Sequence, residues 1–225
     1  MTSDHPPLIV TAPRGRVLPG WEQVIRRVLD LLGATLLLLA VLPLFVIAVL
    51  WIRLDDHGPA LYRQQRIGLG GRPFTMYKFR SMRLGGDDAA HRQLIAAELR
   101  GEVTRVGGST KLTHDPRVTR PGRLLRRTSL DELPQLLNVL RGDMSLVGPR
   151  PCLAWEAEMF PVQYVARFSV RPGLTGLWQV RGRSTVGTLE MLQLDLEYVQ
   201  RRRLRLDLFI LLCTVPALLH VDGAR

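Results

Sequence analysis

Residues 31–52 read LLGATLLLLAVLPLFVIAVLWI, with no charged side chain among them. As a straight helix this run would be about 33 Å long, roughly one hydrocarbon thickness. A secretory signal peptide is shorter, sits nearer the N-terminus and ends at a small-residue cleavage site, and none of these holds here. The segment therefore belongs in a membrane. Arg26, Arg27 and Asp30 precede it, and Arg53, Asp55 and Asp56 follow it. Arginine favours the cytoplasmic side, and both flanks carry it. Pro43, near the middle, removes one backbone donor and clashes with the carbonyl four residues back. The residues alone leave a bent re-entrant hairpin and a kinked spanning helix on equal footing. Trp21 and Trp51 flank the run as interfacial anchors do.

Outward from this segment the chain divides into three: a mobile Pro-rich tail over 1–20, the membrane element over 21–54, and a folded domain over 55–225. The formal net charge of the 225 residues is +11, which calls for an acidic partner: nucleic acid, anionic lipid or a phosphorylated small molecule. Cys152 and Cys213 are too few for a disulfide framework and read as buried thiols in a reducing compartment. In ALYRQQRIGLGGRPFTMYKFRSM two extended runs flank Gly70-Gly71, which reads as a hairpin. Alternation in its second run puts Lys78 and Arg80 on one face, Tyr77 and Phe79 on the other. Helices are expected over 86–100, 130–140 and 188–201, and Pro172-Gly173 as a type II turn. LRLDLFILLCTVPALLH, beside Arg201–Arg203, reads as an interfacial helix against an anionic leaflet, with a buried core helix as the alternative.

The chemistry concentrates in TSLDELPQLLNVLRGDMSLVGPRP, residues 128–151. Pro134 fits only a helix's first turn, which places a helix start near Asp131. Asp131 is then an N-cap and Glu132 a first-turn acid. Arg126 and Arg127 just upstream suggest more. An ionised Asp is a competent nucleophile toward phosphorus, and an adjacent Glu can hold a divalent cation bridging phosphate oxygens. Arg150, between Pro149 and Pro151, offers a guanidinium from a stiff segment, suited to bidentate phosphate binding. Arg181 and Arg183 read by themselves as solvated loop residues. His5, His57, His91, His114 and His220 have no metal-ligand spacing, and no GxxxxGK[ST] or GxGxxG is present.

Several stretches resemble one family: the apolar segment with its central proline, GRPFTMYKFRSM, DPRVTRPGRLLRRTSLDELPQLLNVLRGDMSLVGPRP, RPGLTGLWQVRGRS and LDLEYVQRRRLRLDLFILLCTV. In this order they are similar to the bacterial sugar transferases, monotopic phosphoglycosyl transferases, over roughly residues 22–219. The resemblance implies a helix-rich α+β fold in the short form. It has a re-entrant helix–break–helix in the membrane, a small β-hairpin, and a cytosolic catalytic domain with interfacial amphipathic helices. It implies Asp131 as nucleophile, Glu132 as its partner in holding Mg2+, and Lys78, Arg80, Arg126, Arg150 and Arg183 as phosphate- and nucleotide-binding residues. Asp207 falls on a further family acid. Leu42-Pro43 stands where members often have Ser-Pro at the break.

The implied reaction moves a phosphosugar from a UDP-sugar to undecaprenyl phosphate through an aspartyl-phosphosugar intermediate. It would run at the cytoplasmic face of the bacterial inner membrane, as the first membrane step of glycoconjugate assembly. The partners are then donor, acceptor and membrane lipid, with no nucleic acid; self-association is compatible. The rival is a membrane-tethered basic protein binding nucleic acid or anionic lipid, which gives the Asp-Glu pair and the two-proline arginine nothing to do. A phosphatase using Asp131 is a third reading. Sugar choice would lie in the loops GEVTRVGGSTKLTHD and GRSTVGT.

Overall fold

The computed structural model describes residues 18–83, 89–102, 117–182 and 186–219. Residues 103–115 of GEVTRVGGSTKLTHD and 183–185 of GRSTVGT, Arg183 among them, lie outside these, as do His5, His114 and His220. Leu18, assigned to the tail by composition, is buried, and its carbonyl accepts from Gln23 Nε2 at 2.9 Å.

The apolar segment forms one helix, α1 (Gly20–Asp56), with Pro43 inside it. Two helices separated by a break were expected. The chain instead stays helical through Pro43; proline removes only a single donor from the helix ladder. A narrow stripe of α1 faces the rest of the protein along the whole helix. Glu22, Arg26, Asp30 and Ala34 are buried at successive i+4 positions, Leu38 and Phe45 pack partly, and Ala48 and Ile52 are buried beyond them. The opposite side is apolar and open: Leu32, Leu36, Leu39, Ile47, Leu50 and Leu54 are all exposed.

The charges before the apolar run bind protein. Glu22 accepts from Leu204 N at 2.7 Å, and Arg26 pairs with Asp207. Arg27 donates to the carbonyls of Val139 and Leu140 at 2.7 and 2.8 Å. Asp30 accepts from Leu146 N and Ser145 Oγ at 2.8 and 3.0 Å.

Strands β1 (Leu61–Ile67) and β2 (Pro73–Phe79) form the expected antiparallel hairpin, in register from Leu61↔Phe79 to Ile67↔Pro73. Beyond α2 (Ala89–Leu99) comes α3 (Arg120–Arg127), capped by Thr119 Oγ1, which accepts from Gly122 N at 3.0 Å. The expected helix over 130–140 divides in two. Leu130–Gln135 is a 3-10 turn, and α4 (Leu136–Arg141) starts only after it. Pro134 disfavours helical geometry at Leu133 before it, so the regular helix begins after the proline.

A parallel pair, β3 (Ser145–Val147) and β4 (Gly173–Thr175), was not foreseen. Pro172-Gly173 is no type II turn, for Gly173 lacks the positive φ one requires. Its missing side chain serves a close approach instead: Gly173 N donates to Pro149 O at 2.8 Å, and a Cβ there would overlap the Gly148 backbone. Helices α5 (Ala154–Met159), α6 (Leu177–Arg181), α7 (Thr188–Arg201) and α8 (Leu204–Leu219) complete the described fold. The predicted bounds of α7 hold. On α8, Ile210 is buried while Leu208, Phe209, Leu212 and Val215 are exposed.

Two core clusters fix the site. One joins Ala48 and Ile52 of α1 to Phe79 and Leu125; the other joins Ala34 to Leu136, Val139 and Met144. Burial of the larger side chains among them, Ile52, Phe79, Leu125, Leu136, Val139 and Met144, contributes about 1.5–3 kcal/mol each. Hairpin, α3, the 3-10 turn and α4 are thereby all seated on α1.

Candidate active site

Asp131 and Glu132 lie in the 3-10 turn, entered through Ser129 in left-handed backbone geometry (φ 57°). The cap reading of Asp131 fails: Ser129 holds the cap position, and no side chain there makes a capping hydrogen bond. The two neighbours differ sharply. Glu132 Oε1 accepts from Arg150 Nη2 at 2.9 Å and from Lys78 Nζ at 3.2 Å. Asp131, half-buried, makes no hydrogen bond or ion pair with any described residue.

Their ionisation follows. Burial opposes the charge on Glu132, but Arg150 and Lys78 outweigh it and hold the carboxyl well below the usual range. Burial pushes Asp131 upward, and the charge of Glu132 adds to that; Lys78, Arg150 and Arg126 pull the other way. The net direction is up, so the pair takes its first proton at Asp131. Lys78 is pushed down, chiefly by burial and against the attraction of Glu132. Glu132 raises Arg150 further.

Three elements present the cations. Lys78 extends from β2, which Asn138 of α4 clasps. Asn138 is fully buried; its Oδ1 accepts from Tyr77 N at 3.0 Å, and its Nδ2 donates to Thr75 O at 2.7 Å. The strand bearing Lys78 is thus tied to the helix that follows Glu132. Arg150 sits in a pinned loop. Pro149 O accepts from Gly173 N at 2.8 Å, Arg150 O from Arg167 Nη2 at 2.8 Å, and Cys152 O from Ile67 N at 2.8 Å. Arg167 is itself held by Asp195 Oδ2 at 2.6 Å, both side chains at most 2% exposed. Arg126 projects from the last turn of α3, exposed, with Nη1 at 3.1 Å from Met82 Sδ.

The other expected site residues go elsewhere. Arg80 shares a strand face with Lys78, yet lies buried just past the end of β2 against Gly58, beside the C-terminus of α1. Asp207 lies in a separate buried cluster at the joint of α1 and α8. It pairs with Arg26 and accepts from Tyr198 O–H at 2.9 Å. Cys152 is buried and its thiol is pushed up to about 11 by burial, as an inert thiol requires. Sequence reasoning missed Asn138, Arg167 and Asp195 as supports. A lone Asn inside LLNVL was the available signal for the first.

Among the described residues no three His, Cys, Asp or Glu side chains come together as a metal cluster. Mg2+ commonly takes one or two carboxylates and completes its shell with water and substrate phosphates. Asp131, with both oxygens free, suits that arrangement.

The sequence profile described as bacterial sugar transferase matches residues 21–221. The chain is 47% identical over 209 residues to the UDP-glucose:undecaprenyl-phosphate glucose-1-phosphate transferase of Caulobacter vibrioides, covering 88% of this chain and 71% of that one. It is 41% identical over 199 residues to the exopolysaccharide production protein ExoY of Rhizobium meliloti, covering 88% and 87%. It is 41% identical over 206 residues to the undecaprenyl-phosphate galactose phosphotransferase of Salmonella typhimurium, covering 90% of this chain and 42% of that protein.

Proposed function

Since the chain belongs to the bacterial sugar transferase family and is a sugar phosphotransferase, we propose that it moves a sugar phosphate from a UDP-sugar to undecaprenyl phosphate, with Asp131 as the nucleophile. One observation carries the reading: of two adjacent carboxylates, Glu132 is bound by Arg150 and Lys78, while Asp131 is free within the same field of cations. Such an acid has an oxygen available to attack and positive charge nearby to receive a phosphate.

In the proposed first step an Asp131 oxygen bonds to the sugar-bearing phosphorus and the bond to the bridging oxygen breaks. UMP leaves with that bond pair. An oxygen of the lipid phosphate then attacks the same phosphorus and releases the Asp131 carboxylate. Polyprenyl diphosphate sugar is the product. Lys78, Arg126 and Arg150 orient the diphosphate, and Glu132 holds two of them ready. Mg2+, held by Asp131 with Glu132 beside it, would supply charge neutralisation on the diphosphate.

The same proposal puts the whole domain on one side of the membrane, at the cytoplasmic face where UDP-sugars are found. In its support, protein contacts follow α1 from Glu22 to Ile52. A helix crossing the bilayer would carry about 30 Å of its length away from a water-soluble domain. A one-sided helix bent at Pro43, with Leu32, Leu36, Leu39 and Leu50 in lipid, fits these contacts.

The test is incubation with UDP-sugar and no acceptor, followed by intact mass measurement. A sugar-phosphate adduct that maps to Asp131, and disappears when undecaprenyl phosphate is added, is expected. Transfer at full rate with no adduct on wild type would leave direct attack by the lipid phosphate. Trials with several UDP-sugars would identify the donor.

A further inference from the structure

Helix α3 carries a face that the transfer chemistry leaves unused. Its inward side is Pro121, Gly122 and Leu125, and its outward side is Arg120, Arg123, Leu124 and Arg127. Arg126 sits at the edge between the two and faces Asp131's field. No described carboxylate lies within ion-pair reach of Arg120, Arg123 or Arg127, and no other bond engages their side chains. Three guanidinium groups share a helix about 12 Å long. Like charges three, four and seven positions apart weaken a helix, and Arg120 also opposes the dipole at its N-terminal end.

The fold holds this face in place regardless. Thr119 caps the helix, Leu125 is sunk among Ala48, Ile52 and Phe79, and Gly122 lies so close to Ser81 that a Cβ would overlap its backbone. Leu124, 45% exposed, stands among the arginines. An apolar side chain ringed by long cations suits a headgroup layer, where the leucine meets acyl chains and the arginines reach phosphate. The location agrees. The inner face of α3 packs on the C-terminal part of α1, whose Ile47, Leu50 and Leu54 are exposed and apolar.

We propose that Arg120, Arg123 and Arg127 bind the anionic phosphodiester headgroups of the leaflet beside α1, making α3 an anionic-lipid docking surface. The donor's phosphates have Lys78, Arg126 and Arg150. The inference rests on the reading that α1 lies in the membrane alongside the domain. It does not rest on the transfer reaction.

The experiment uses the full chain in nanodiscs of phosphatidylcholine and phosphatidylglycerol, with p-benzoylphenylalanine in place of Leu124. After irradiation, lipid adducts at position 124 are counted by mass spectrometry. Phosphatidylglycerol is expected to be over-represented by about five-fold or more relative to the bilayer at low salt. The preference should fall toward one in Arg120→Gln/Arg123→Gln/Arg127→Gln and survive in the matching triple lysine variant. No lipid adduct, or an unchanged preference in the glutamine variant, would overturn the proposal. So would a glutamine variant that keeps the preference and needs more UDP-sugar for half-maximal rate, for the face would then serve the donor. A short RNA that competes away the lipid adducts in the parent would assign the face to nucleic acid. Because crosslinking needs no donor, loss of transfer in the parent would count against the proposed reaction and leave this result standing.

Discussion

Two of the acid–arginine clusters among the described residues are built to opposite ends. At the joint of α1 and α8, Asp207 is consumed by its neighbours: Arg26 takes one oxygen and Tyr198 the other. At the 3-10 turn, Arg150 and Lys78 are consumed by Glu132, and Asp131 is left over. The first cluster is closed and joins two helices. The second keeps one carboxylate in reserve beside cations that a phosphate can take over. What separates a reaction site from a structural joint here is whether an acid remains unspoken for.

The largest effect should come from the free acid. Asp131→Asn keeps the shape and removes the charge, so transfer is expected to fall at least about 1,000-fold. Thermal stability should hardly move, since no bond is lost. A variant with near-normal transfer would reduce the two clusters to the same kind. Next is the closed joint. Arg26→Met leaves Asp207 buried without its partner and should cost about 3–5 kcal/mol in denaturant unfolding. Arg26→Met combined with Asp207→Asn should recover part of that loss, because the stranded charge is gone. Transfer per folded molecule should stay close to wild type, which separates a joint from a site.

Arg150→Lys keeps the charge and gives up the fork, and a fall of about 10- to 100-fold in transfer is expected with little change in unfolding temperature. An unchanged rate would mean that a point charge is enough. The smallest effect is a shift in pH dependence. Attack needs ionised Asp131, whose pKa is raised, so transfer should rise with pH through a limb above the ordinary carboxylate range. Lys78, pushed down by burial, sets a fall on the alkaline side. Arg150→Gln removes a positive neighbour and should move the acid limb to higher pH. Glu132→Gln removes a negative one and should move it lower. Shifts in the same direction for both would refute the electrostatic description of the pair.

The hairpin could be read from the sequence because Gly70-Gly71 and the alternation around it are local signals. The Asp-Glu pair could be found, but not the difference between its members. That difference comes from Arg150 and Lys78, which lie 18 and 54 positions from Glu132. Arg26 and Asp30 looked like charges at a membrane boundary, since their partners are distant in sequence. Asp207 was a candidate site acid through the family resemblance alone, and its contacts with Arg26 and Tyr198 could not be read from its neighbours in sequence. The strands β3 and β4 were invisible: each has three residues, and Gly173 signalled a turn while serving a close approach. Pro134 was given its proper weight but placed one turn too far into a regular helix.

The stripe of α1 that includes Glu22 and Arg26 has a consequence for how the protein is made. Glu22 and its partner Leu204 are 182 positions apart. At ~5–20 residues per second a ribosome needs about 10–40 s to travel that distance. With α1 placed in lipid as proposed, it would reach the membrane during that interval, while Glu22 and Arg26 wait for α8 to exist. On that placement α1 settles before the joint that fixes it can close, and α8, which begins 182 positions after Glu22, completes its seat.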